Sequence, residues 1–89
     1  MNVLQSLQDI ITKKYSIPPE RITPDATLDG LGIDSLELIE TLFEVEDAFH
    51  IRIPQDGSVT LKISTIQDIV DVVNYIIEQQ RPSEMASGA

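Results

Sequence analysis

Hydrophobic residues recur with a helical period in three stretches of the chain, and the segments between them have none. Val3, Leu4, Leu7, Ile10 and Ile11 sit at helical spacing, and Tyr15 extends the stripe by one turn. Lys13 and Lys14 stand where the negative end of a helix dipole favours cations. Pro18 and Pro19 lack the backbone N–H a helix needs. The first helix is therefore expected over about Val3–Lys14. A second helix is expected to start near Asp34, because Asp34 and Glu37 have the spacing of a capping box. At 100° per residue, Leu38, Leu42, Val45 and Phe49 gather on one side as a core stripe. Glu37, Glu40, Glu44 and Asp47 gather on another side, bordered by Leu36 and Phe43. A last helix is expected from Ser64-Thr65, which precede Gln67-Asp68 at capping spacing, to about Gln79. Ile66, Ile69, Val70, Val73, Ile76 and Ile77 form its apolar stripe, and Arg81-Pro82 stops it.

The connections are less regular. From Ser16 to Asp34 the chain is punctuated by Pro18, Pro19, Pro24, Gly30 and Gly32, with Ile17, Ile22, Leu28, Leu31 and Ile33 spaced as pins. A loop of that length in a small domain is usually functional. Ile51-Arg52-Ile53 and Val59–Ile63 alternate with period two around Asp56-Gly57, which reads as a hairpin. A lone two-stranded ribbon is marginal, so the primary expectation there is loop with one helical turn. The fold class is all-α: one domain over residues 1–80, built as a small three-to-four-helix bundle with a long first loop. Residues 81–89 are expected to be a disordered tail.

Composition narrows the function. Fifteen Asp and Glu against six Lys and Arg give a net charge of −9 and a pI near 4.2. Such a surface repels nucleic acid and anionic membranes, and its natural partners are basic patches on other proteins. No apolar run approaches the roughly 20 residues of a membrane span, and Met1–Ser6 lacks the basic start of a secretory signal. The chain has no Cys, hence no disulfide, thiolate nucleophile or cysteine metal site. A cytoplasmic monomer is the expectation.

Catalytic arrangements fail on geometry. His50 is the single imidazole, and it lies about four helical turns, some 22 Å, from Ser35 along one helix. A hydrolytic triad is excluded, and His50 reads as an exposed helix-end residue. Asp25, Thr27, Asp29 and Gly30 mimic the start of a calcium loop, but Leu36 stands where its bidentate Glu is required. No metal site is expected. Glu37, Glu40, Glu44 and Asp47 have no Lys or Arg interleaved, so they repel along the helix. With Leu36 and Phe43 they make a mixed apolar and acidic docking face. Ser35 is either the N-cap or, if Asp34 caps, the first helical residue with a free hydroxyl. A phosphate there would meet free amides and the positive dipole end.

The run Leu31-Gly32-Ile33-Asp34-Ser35-Leu36-Glu37-Leu38-Ile39-Glu40 resembles the phosphopantetheine attachment motif of acyl carrier proteins. The resemblance extends through Phe49, Ile51 and Ile53-Pro54 to Ser64–Asp68, and covers roughly residues 3–79. It implies a non-catalytic carrier. Ser35 would receive 4′-phosphopantetheine from coenzyme A through a separate Mg²⁺-dependent transferase, with Asp34 supporting. Acyl groups would ride on the terminal thiol as thioesters, for fatty-acid, lipid or polyketide biosynthetic enzymes. Leu36, Glu37, Glu40, Phe43, Glu44 and Asp47 would dock basic patches on the phosphopantetheinyl transferase and on enzymes of acyl synthesis and transfer. Val45, Ile53, Ile63 and Ile69 would line an acyl cavity. The segment Gln55–Leu61 departs from typical fatty-acid carriers, which leaves a specialised acyl carrier or an aminoacyl, peptidyl or D-alanyl carrier open. An unmodified acidic helical adaptor is the reading from another class.

Overall fold

Asn2 opens the first helix, α1 (Val3–Tyr15), by accepting the Gln5 N–H on its side chain at 3.0 Å. Val3, Leu7 and Ile11, one turn apart, turn inward and are buried. Ser16 ends α1 in the left-handed conformation (φ 58°), with its N–H returned to the Thr12 carbonyl. A computed structural model describes residues 2–54 and 57–80 of the chain. Among these, the remaining helices are α2 (Leu28–Leu31), α3 (Ser35–Phe49) and α4 (Ile66–Gln80), with single 3-10 turns at Pro19–Arg21 and Thr60–Lys62. Residues 81–89, the expected tail, lie outside the described residues.

The bundle closes around aliphatic side chains contributed by all four α-helices and by the loops between them. Leu7 and Ile11 from α1, Leu42 and Val45 from α3, and Ile66, Ile69 and Val73 from α4 have almost no exposed surface. The expected loop pins are real: Ile17, Ile22, Leu28 and Ile33 are buried and Leu31 is half-buried. Gln8 adds a polar pin, its side-chain amide donating to the Ile22 carbonyl at 2.9 Å. One polar residue joins the core. Thr41 is 1% exposed, and its hydroxyl donates to the Glu37 carbonyl at 2.9 Å and meets the Tyr15 phenol at 3.1 Å. The same phenol donates to the Glu37 carbonyl at 2.8 Å. A buried polar group is tolerated when it is bonded in this way, and here the bonds tie the last turn of α1 to α3.

The long loop is held by the start of α4. A helix leaves its first amides without internal partners; here Ile66 N–H donates to the Ala26 carbonyl at 3.0 Å and Gln67 N–H to the Pro24 carbonyl at 2.8 Å. In return Leu28 N–H donates to the Ser64 carbonyl at 3.0 Å, and Thr27 pairs with Thr65 as an isolated antiparallel bridge. Thr65 and Asp68 complete the helix start: the Thr65 hydroxyl accepts the Asp68 N–H, and the Asp68 carboxylate accepts the Ser64 and Thr65 N–H groups.

The hairpin alternative for residues 51–63 gives way. Its Asp56 lies outside the described residues, and none of the described residues there is in a strand. The backbone donors that a ladder would use are taken by side chains. Arg52 N–H donates to Gln80 Oε1, which with the reciprocal Gln80-to-Arg52 bond fastens the end of α4. Ile53 N–H donates to the Glu46 carboxylate. The period-two pattern is one of burial only at Ile51-Arg52-Ile53, where the two isoleucines turn into the core and Arg52 faces solvent; in Val59–Ile63 it breaks, because Ile63 is buried but Leu61 is exposed on the 3-10 turn. The expected helical turn is the Thr60–Lys62 3-10 turn.

Candidate functional site at the start of α3

Two helix ends meet around Ser35. Gly32 terminates α2 with φ at 79°, a conformation that L side chains rarely adopt. Its N–H returns to the Asp29 carbonyl, and Ile33 N–H to the Leu28 carbonyl at 2.9 Å. Ile33 is buried immediately afterwards, so the chain is anchored two residues before Ser35.

Asp34 is the N-cap of α3. Its carboxylate accepts the Glu37 N–H at 2.8 Å, and its own N–H donates to Glu37 Oε1 at 3.1 Å, which completes the capping box. The two readings of Ser35 are thereby separated: it is the first helical residue, not the cap. Its side chain is exposed, and its hydroxyl has no hydrogen-bond partner among the described residues. A hydroxyl that is accessible, not needed for capping and fixed on a rigid helix start is suited to covalent modification. The amides of Ser35 and Leu36, left open by the capping box, favour an anionic group at the same place.

Beside Ser35 lies an open cleft of about 550 Å³. Leu28, Ile33, Leu38 and Ile63 supply its buried apolar side; Thr27, Thr60 and Ser64 line it with hydroxyls; Asp34 and Ser35 border it. Of the four residues expected to line an acyl cavity, only Ile63 reaches this cleft. Val45, Ile53 and Ile69 are buried in the core and do not border it. Periodicity marks a residue as buried, but cannot tell whether it faces a packed core or a cleft wall. Thr27, Thr60 and Ser64 were not singled out for the site, because their place depends on the pairing of the loop with α4, which has no local pattern.

The residues expected to form a docking face lie on α3, most of them exposed, with one member diverted. Leu36 and Phe43 are 65% and 52% exposed, large values for apolar side chains. Glu40, Glu44 and Asp47 are exposed beside them. Glu37 is half-buried, with a carboxylate oxygen engaged in the capping box. Lys14 of α1 approaches from the flank, with its Nζ 4.0 Å from Glu40 Oε1. His50 is the exposed C-cap of α3 in the left-handed conformation (φ 57°), far along the helix from Ser35. Among the described residues no cluster of side chains suited to a metal ion occurs, and no helix is long and apolar enough to cross a membrane.

This geometry agrees with what known proteins look like. The family model for a phosphopantetheine attachment site matches residues 5–73. The acyl carrier protein of Rubrobacter xylanophilus is 34% identical over 79 residues, covering 88% of this chain and 91% of the relative. That of Chloroherpeton thalassium is 39% identical over 74 residues, covering 82% and 86%. The crystal structure of an acyl carrier protein from Thermotoga maritima superimposes with a TM-score of 0.76 at 26% identity, covering 86% of this chain and 88% of that one. With most of the chain matched in sequence and in backbone, and a free serine at the start of α3, the chain belongs to the acyl carrier protein family, whose members are non-catalytic carriers with a covalently attached 4′-phosphopantetheine.

Proposed function

We propose that Ser35 is the attachment point of the 4′-phosphopantetheine arm, and that the loaded protein delivers acyl thioesters to fatty-acid, lipid or polyketide biosynthetic enzymes. The observation that carries this reading is the exposed Ser35 hydroxyl, placed first in α3 while Asp34 and Glu37 do the capping. Attachment forms a bond from Ser35 Oγ to phosphorus, breaks the pyrophosphate linkage of coenzyme A with adenosine 3′,5′-bisphosphate as the leaving group, and releases the hydroxyl proton to a base of the transferase. The arm supplies a terminal thiol, on which acyl groups are held as thioesters. The chain's own part is to keep the serine accessible, to offer open amides of the first turn to the phosphodiester, and to present a docking face.

That face consists of Leu36 and Phe43 with Glu40, Glu44 and Asp47, and its partners are basic patches on the phosphopantetheinyl transferase and on acyl-chain enzymes. Glu37 contributes mainly by capping, and Asp34 supports the site in the same way. Association driven by exposed charges is fast and salt-sensitive, which suits a shuttle that has to leave each enzyme. The cleft beside Ser35, with Ile63 in its apolar side, is where the start of a carried chain would find cover.

The test is the intact mass of the protein after incubation with coenzyme A, Mg²⁺ and a promiscuous phosphopantetheinyl transferase. One added phosphopantetheine on the parent and none on Ser35→Ala supports the assignment. Addition to Ser35→Ala, or no addition to the parent with several transferases, overturns it.

A further inference from the structure

The α3 face is not a bare row of carboxylates, because the fold brings α1 against its flank. Lys13 and Lys14 occupy the last turn of α1, where the helix dipole favours cations. The next residue, Tyr15, is hydrogen-bonded through its phenol to the Glu37 carbonyl and to Thr41 of α3, so this turn is fixed in place. Lys14 also lies over the Tyr15 ring, its Nζ 5.9 Å from the centroid. Thus held, Lys14 reaches Glu40 at 4.0 Å, and both lysines share a shallow depression with Glu44. At the other end of the stripe Asp47 shares a depression with Arg52, but no ion pair links these two. Glu40 is the member of the stripe whose charge is already matched from within the chain.

We infer that Lys14 is a specificity-determining residue of the docking face: it competes from within the chain for Glu40, and a partner's cation must displace it or dock without that contact. The inference rests on the docking reading of α3 given above. An exposed ion pair of this kind shifts an equilibrium by no more than about fivefold. That is enough to rank partners of a weakly binding shuttle, and too little to block any of them. Partners that rely on the exposed Leu36 and Phe43 lose least, whereas those that rely on a cation at Glu40 lose most.

The experiment is a double-mutant cycle on binding to a phosphopantetheinyl transferase, measured by titration calorimetry with Lys14→Gln, Glu40→Gln and the double variant. Arg21→Gln is the control for net charge, since Arg21 is exposed on the Pro19–Arg21 turn and forms no ion pair among the described residues. Expected are a gain of about two- to fivefold for Lys14→Gln beyond that of Arg21→Gln, and loss of that extra gain in the Glu40→Gln background. An equal effect of Lys14→Gln and Arg21→Gln overturns the competition, as does a Lys14→Gln gain that survives Glu40→Gln in full. Glu44→Gln with Asp47→Gln separates the two levels of the argument. If that pair leaves binding unchanged, the α3 docking reading itself fails and the role of Lys14 with it. If the pair weakens binding while the cycle shows no coupling, only the role of Lys14 fails.

Discussion

Replacing Gly30 by Ala is a sensitive probe of the α2 turn that walls the cleft. Gly30 does not use the left-handed region, which among the described glycines is occupied by Gly32 and Gly57. Alanine can therefore adopt its backbone, and reduced freedom of the unfolded chain would by itself stabilise the fold by about 0.4–1 kcal/mol. The added Cβ, however, would lie 2.8 Å from Thr27 Oγ1, closer than a carbon and an oxygen can approach without a bond. That oxygen is the N-cap acceptor of α2 and receives the Gly30 N–H at 3.0 Å. Relief requires Thr27 to change rotamer, and loss of such a cap costs about 1 kcal/mol. The two terms nearly offset, so Gly30→Ala is expected to be neutral to slightly destabilising. In a Thr27→Ala background there is no hydroxyl to displace, and the same substitution should stabilise by about 0.4–1 kcal/mol. Urea titrations of the four chains, analysed with a common slope, give the coupling directly. An equal gain from Gly30→Ala in both backgrounds would refute the reasoning, because the Thr27 cap would then carry no energy.

Other outcomes follow from the same contacts. Ser35→Ala is expected to change stability by less than about 0.5 kcal/mol, whereas Asp34→Ala, which removes the cap, should cost about 1 kcal/mol in the same urea titration. The N–H groups of Ser64, then of Thr65, with the Thr65 hydroxyl, hold the Asp68 carboxyl below its usual value. Its contribution is thus present above the ordinary carboxylate range and is lost as pH falls through the lowered value. The stability gap between the parent and Asp68→Asn should accordingly narrow on acidification from about pH 6 to about pH 3; a constant gap would contradict it. Raising salt from low to moderate should raise the urea midpoint of the parent, because the −9 charge repels itself. A flat response would contradict a destabilising self-repulsion.

What could be read in the sequence and what could not have distinct physical origins. The three long helices were legible because each buries one face, and burial of a face imposes a period on the residues: Val3, Leu7 and Ile11 in α1, or Leu38, Leu42 and Val45 in α3. Their starts were legible because caps are local, as with Asp34 and Glu37. The four-residue α2 was missed, since it is too short to show a period. Its marks in the sequence are local: Thr27 three residues ahead of Gly30, and Gly32 just past the end. Thr41 was missed because its burial depends on a phenol 26 residues away in α1. The position of Lys14 beside Glu40 and the hydroxyl lining of the cleft depend on how helices cross and how the loop meets α4, and neither leaves a pattern within one segment. Glu37 shares its helix angle with the acidic stripe, yet the residue is half-buried and a carboxylate oxygen is taken by the capping box that the same sequence announces.

The exchange of backbone hydrogen bonds between the loop and α4 also orders events in time. The carbonyls of Ala26 and Pro24 accept the amides of Ile66 and Gln67, and the Leu28 amide donates to the Ser64 carbonyl. A ribosome makes the loop, the serine and α3 well before it makes residues 64–67. A nascent chain can therefore display Ser35 on a forming α3 while the Leu28 side of the cleft still lacks its support. The helix that locks the first loop is made after it, so the shelter beside the serine is completed only once residues 64–67 have been made.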